Sequence, residues 1–127
     1  MSDPPRKAEG GMVVDRVCFA LPILEGKMED ARAFFEELEA QRKGAYAASE
    51  RRINITKEAW YAQQTPQGGL LLAYIESPDF ADALGRFSRS QDEFDRWFKR
   101  RVAEVTGVDL NEPPPGPLSE LLSSYEA

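Results

Sequence analysis

The sequence predicts an α+β fold in the order β-α-β-β-α-(α)-β, a ferredoxin-like sandwich of one antiparallel sheet with its helices gathered on one face. Three observations lead there. A β-branched apolar run over 12–24 precedes a long stretch with phenylalanine and leucine at helical spacing. A Pro66-Gln67-Gly68-Gly69 turn joins two strand-like runs. Two amphipathic segments follow, each opened by a helix start signal. At 127 residues the chain is expected to hold one core, because two would each fall near the lower limit for independent folding.

Residues 1–11, MSDPPRKAEGG, offer almost nothing to bury and read as a disordered arm before a single domain at 12–127. In the first strand Val13, Asp15, Val17, Phe19 and Leu21 alternate with Val14, Arg16, Cys18 and Ala20. Both series turn apolar towards the end, so the strand is expected in the middle of the sheet, covered on both faces, with Pro22 where it leaves the ladder.

One helix is expected from Gly26 to about Arg52. Its inward stripe runs through Ala31, Phe34, Phe35, Leu38 and Ala45, then continues through Arg42, Ser49 and Arg52, with Tyr46 beside them. Such a helix would measure roughly 39 Å, about twice a typical strand. It must overhang the sheet, or its polar end must face something other than a dry core.

Strands are expected over 56–65 and 69–77, joined by the turn. Ser77-Pro78 reads as N-cap and first residue of a short helix carrying Phe80, Ala83, Leu84 and Phe87 inward. Ser90 and Glu93 have capping-box spacing for a further helix, which presents Phe94, Trp97, Phe98, Val102 and Val105 and stops at Gly107. After NEPPPGP (111–117), LSELLSSY (118–125) is expected to return as a final short strand. Strands apolar on both faces would leave one sheet face sticky, and pairing two sheets in a two-fold homodimer covers both.

Composition excludes several functions. A net charge of −6 argues against a general basic field for nucleic acid. The chain has no histidine, so no Ser-His-Asp triad, Cys-His pair, histidine metal site or proximal-histidine haem can be built from it; no metal or cofactor is expected. The single Cys18 makes no internal disulfide and reads as a small hydrophobe. No apolar run is long enough to cross a bilayer and 1–11 lacks a signal-peptide core, so a cytoplasmic location without membrane contact is expected.

Two groups of side chains are candidates for a site. Arg42, Tyr46, Ser49, Arg52 and Trp60 lie at the polar end of the long helix and the strand beside it, suited to a small aromatic or anionic ligand held by pairing and stacking. The alternative is that the arginines simply pair with Glu50, Glu58, Glu76 or solvent, with Trp60 in the core. Asp92, Asp95 and Arg96 form the second group, in which two carboxylates on one helical face could give a general base. The alternative there is a dipole-stabilising Asp92 and an Asp95–Lys99 pair at i+4. Arg96, Lys99, Arg100 and Arg101 make a basic helix face, either solvated or an anion patch.

The strand ending Pro-Ile-Leu-Glu-Gly-Lys, followed by Met28-Glu29-Asp30-Ala31-Arg32, resembles the lead-in to the first helix of the dimeric α/β-barrel superfamily. That superfamily includes antibiotic-biosynthesis and haem-degrading monooxygenases, chlorite dismutase-like proteins, polyketide cyclases and stress-responsive barrels. More narrowly, 17–125 resembles a family of small bacterial proteins of uncharacterised function, through RRINITKEAWYAQQTPQG (51–68), SQDEFDRWF (90–98) and VTGVDLNEPPPGP (105–117). The resemblance implies a dimeric α/β barrel. It also implies a cofactor-independent monooxygenase or cyclase-like enzyme acting on a small aromatic or polyketide-like molecule; the alternative is a non-catalytic small-molecule-binding or stress-related accessory protein. The histidines of the haem-handling and cyclase members have no counterpart here, and Asn54, Trp60 and Tyr61 match the cofactor-free oxygenases in residue type only.

Overall fold

The computed structural model describes residues 14–112 and 118–127; the expected N-terminal arm and residues 113–117 of the proline-rich linker lie outside the described residues. The order is β1 (Asp15–Ile23), α1 (Met28–Gln41), α2 (Lys43–Ile53), β2 (Lys57–Thr65), β3 (Gly68–Ser77), α3 (Phe80–Arg89) and α4 (Glu93–Thr106). The fold is α+β, with an open three-stranded sheet in the order β1-β3-β2 and both pairings antiparallel. β1 and β2 therefore run parallel on either side of β3.

The central strand is β3, and β1 lies at an edge, contrary to the expectation of a doubly covered first strand. Past Arg16 the second series of β1 consists of small residues, Cys18, Ala20 and Pro22, all exposed, and Pro22 suits an edge because it has no N–H to donate. Leu71, Ala73, Ile75 and Ser77 of β3 are buried under the helices, with Val17, Phe19 and Leu21 beside them in register. The hairpin turn is Pro66-Gln67, with Thr65 paired to Gly68. Thr65 Oγ1 accepts the Gln67 N–H at 3.1 Å and donates to the Gly68 carbonyl at 2.8 Å.

The expected long helix is two helices. Arg42, at φ −123° and ψ 16°, breaks it, with Gly44, a weak helix former, in the first turn of α2. The break removes the overhang: α2 packs against α1, α3 and α4. Asn54 ends α2 in the left-handed region at φ 67° and returns the chain to β2.

Two caps move. Asp79, not Ser77, caps α3 by accepting the Asp82 N–H at 3.1 Å; Ser77 is buried and donates to the Asn54 carbonyl at 2.8 Å. Asp92, not Ser90, caps α4 by accepting the Phe94 N–H at 3.0 Å, and Gly107 closes that helix at φ 78° as expected.

No fourth strand forms among the described residues: 118–127 is irregular and exposed. Leu118, Leu121, Leu122 and Tyr125 are spaced by three and four residues, so an extended chain would split them between both faces. The tail meets β1 through side chains instead. Ser119 Oγ accepts the Cys18 N–H at 2.9 Å, and Glu126 lies 4.0 Å from Arg16.

The core falls into two clusters. Phe34, Leu38, Leu71, Trp97, Phe98 and Val102 join α1, α4 and the sheet; Val17, Ala73, Ile75 and Phe80 join α3 to the other end of the sheet. Trp60 packs against both clusters. The polar residues of α2 lie at this junction.

Candidate functional site

Ser49 and Arg52 reach across to the second predicted group on α4. Asp95 is fully buried and accepts from Ser49 Oγ at 2.5 Å, Ser90 Oγ at 2.6 Å and Arg52 at 3.1 Å. Arg52 also meets Asp92 at 2.9 Å. Lys99 is buried as well, but not in the expected pair with Asp95. Its ammonium donates to the carbonyls of Phe87, Ser88 and Ser90 at 3.0, 3.1 and 3.0 Å, closing the α3–α4 connection. Burial lowers its pKa, opposed by the Asp95 charge. Asp95 and Lys99 thus spend their polar atoms on helix–helix and helix–loop contacts, which makes them structural.

Tyr46 and Trp60 point elsewhere, to a residue outside both predicted groups. Tyr46 Oη and Trp60 Nε1 both donate to Glu58 Oε2, at 2.8 and 2.7 Å. Glu50, one turn beyond Tyr46 on α2, stands against Glu58; its Oε2 is buried with no donor among the described residues. Two carboxyls placed side by side disfavour double ionisation. Burial first, then the Glu58 carboxylate and hydrogen bond, then the Asp95 charge push Glu50 up to about 10. Burial and Glu58 also raise Tyr46 well above the ordinary phenol, so it stays a donor. Burial and the neighbouring carboxyl thus favour the neutral form of Glu50.

This pair forms part of the wall of an apolar cavity of about 60 Å³ between α2, α3, α4 and the sheet. The remaining wall is aromatic and aliphatic: Phe19, Trp60, Phe80, Phe87, Phe94, Phe98, Ile53, Ile75 and Leu84. No lysine or arginine lines it. Tyr46, Glu50, Ile55 and Glu58 also line an outer cleft of about 250 Å³, rimmed by Lys43, Thr56 and Lys57. The carboxyl pair is thus the partition between an inner apolar space and a solvent-facing one.

Of the predicted residues, Tyr46, Ser49 and Trp60 line the cavity, whereas Arg42 and Arg52 do not. Arg52 is held by Asp92 and Asp95. Arg42 lies over the Trp97 ring, 4.1 Å from its centroid, with its Nε on Glu37 at 3.1 Å. Arg96 is exposed on α4 and lines a separate cleft. Glu50 and Glu58 entered the sequence reading only as partners for arginine. Their signal was positional: each is spaced from an inward aromatic by one element period, Tyr46–Glu50 at i+4 on a helix and Glu58–Trp60 at i+2 on a strand.

Among the described residues no three carboxylate or cysteine side chains gather as a metal site, and no helix is long and apolar enough to cross a membrane. No protein-family model, curated protein or solved structure matches the chain.

Proposed function

We propose that the protein is a cofactor-independent acid–base enzyme that takes the reactive group of a small, largely apolar molecule, aromatic or polyketide-like, against the Glu50–Glu58 pair. The observation that carries this reading is a buried Glu50 carboxyl, its Oε2 without a donor among the described residues, beside Glu58 on the wall of an apolar cavity. Glu58 as carboxylate takes a proton from the substrate, and Glu50 as the neutral acid returns one to it, the step common to cyclisation and to activating a substrate for oxygen. Apolar walls keep water from levelling the pair. The inner cavity has room for a few water-sized groups, so it receives only the reacting end, and the outer cleft holds the remainder. A fragment screen followed at the Trp60 indole N–H tests this. Hits should shift that resonance, and Glu50→Gln should keep binding while abolishing exchange of the ligand's acidic proton with solvent. A screen without hits at Trp60 overturns the site.

A second reading is binding without turnover, as in an accessory protein. It is favoured by Glu58 Oε2 already accepting two donors, which weakens it as a base. Bound hits with no proton exchange in the unaltered protein would decide for it.

The same proposal includes a cytoplasmic, ferredoxin-like homodimer of the dimeric α/β-barrel kind. Supporting it are β1 and β2 parallel about β3, the split β-α-β pattern, and a helix-free sheet face carrying Ala20, Leu72 and Tyr61 in one cross-strand row. Light scattering should give twice the chain mass at micromolar concentration, and Leu72→Asp should halve it; a monomeric parent overturns the dimer.

A further inference from the structure

The basic face of α4 does not line the Glu50–Glu58 cavity, and the structure divides it. Lys99 is buried, and Arg101 is bound to Glu37 at 2.9 Å. The guanidiniums of Arg96 and Arg100, one turn apart and exposed, have no ion pair or hydrogen bond among the described residues. They line a cleft of about 300 Å³ with Arg42, Trp97 and Glu93.

Arg42 reaches this cleft because the helix breaks at it. Its guanidinium is fixed on two sides: stacked on Trp97 at 4.1 Å, and held through Nε by Glu37, whose other oxygen holds Arg101. A clamped guanidinium loses little freedom on binding and keeps its terminal nitrogens for a ligand. Arg42 is paired with Glu37, and the unpaired guanidiniums of Arg96 and Arg100 stand beside it with one carboxylate, Glu93, in the cleft. Positive charges in excess of the carboxylates beside them cost free energy that a bound anion would recover.

We propose that the cleft formed by Arg42, Arg96 and Arg100 binds a phosphate group of a small phosphorylated molecule. A phosphate dianion with several acceptor oxygens matches three forked donors, whereas a monocarboxylate is satisfied by one. Trp97 is 6% exposed and lies under Arg42, so no aromatic face is open for stacking, and recognition rests on the phosphate rather than on a base.

The test is titration with inorganic pyrophosphate, read at the Trp97 indole N–H and by calorimetry. Saturable binding is expected, weakened at least about tenfold in Arg96→Gln/Arg100→Gln. The pair Arg51→Gln/Arg89→Gln, exposed arginines elsewhere that remove the same charge, should leave it unchanged. Equal weakening by both double variants, a signal that never saturates, or full binding by the first double variant each overturns the site. Phosphatidylcholine vesicles containing phosphatidate form a parallel arm. Co-sedimentation lost in the first double variant alone identifies a lipid headgroup as the source of the phosphate, and saturation by free pyrophosphate without it identifies a soluble one.

Discussion

Replacing Asp95 by alanine is expected to cost about 3–5 kcal/mol of stability, read as a fall in the urea midpoint at unchanged slope. Asp95 is fully buried and takes donors from three places: Ser49 on α2, Ser90 before α4, and Arg52 near the end of α2. Alanine leaves two hydroxyls without their acceptor, one of them on the buried Ser49, and frees a guanidinium that Asp92 alone retains at 2.9 Å. Asp95→Asn separates charge from shape: the amide keeps an acceptor oxygen but turns a donor towards Ser49, Ser90 or Arg52, so it should recover only part of the loss. Arg52→Met should cost less, because that side chain is 42% exposed and its partner keeps both serine hydroxyls. An Asp95→Ala variant as stable as the parent would mean that the seam contributes nothing.

The fold was legible where patterning is redundant. The turn at 66–69, the stripes of α3 and α4 and the Gly107 stop each rest on several residues agreeing, and each formed. The misreadings share a cause: one signal was asked to do the work of two. Continuity of the stripe through Arg42 was read as continuity of the helix, but a side chain that stacks on Trp97 satisfies the same spacing from a broken backbone. In 118–125 the spacing of Leu118, Leu121, Leu122 and Tyr125 by three and four residues speaks against the expected strand. The site was half legible. Tyr46, Ser49 and Trp60 of the first polar group reach the cavity, but Arg42 and Arg52, which share the expected inward stripe, do not. A glutamate facing inwards looks like any surface glutamate until the register of β2 and the rotation of α2 are known.

The second large effect belongs to Glu50. Its carboxyl is raised in the folded chain to about 10, against an ordinary value near 4.5, by burial and by Glu58, with Asp95 of α4 adding to the effect. A raised acid stabilises the fold fully below the ordinary value; as pH climbs, the unfolded chain gives up its proton while the folded chain keeps it, and stability falls until the folded value is passed. Between pH 5 and 9 the parent should therefore lose on the order of 2–4 kcal/mol through this one group, allowing for its partial contact with solvent. Glu50→Gln removes the titration, preserves the shape, and leaves an amide to donate to Glu58 where the acid did. It should match the parent near pH 5 and exceed it increasingly towards pH 9, a divergence that urea denaturation at three pH values would reveal. Glu58→Gln offers the complementary comparison. Losing the neighbouring charge should bring Glu50 down and flatten the profile, but it also takes from Tyr46 and Trp60 the carboxylate they share, so the whole curve should drop. Parallel profiles for the parent and Glu50→Gln would mean that the Glu50 carboxyl is not held neutral, and the acid–base reading of the cavity would fall with it.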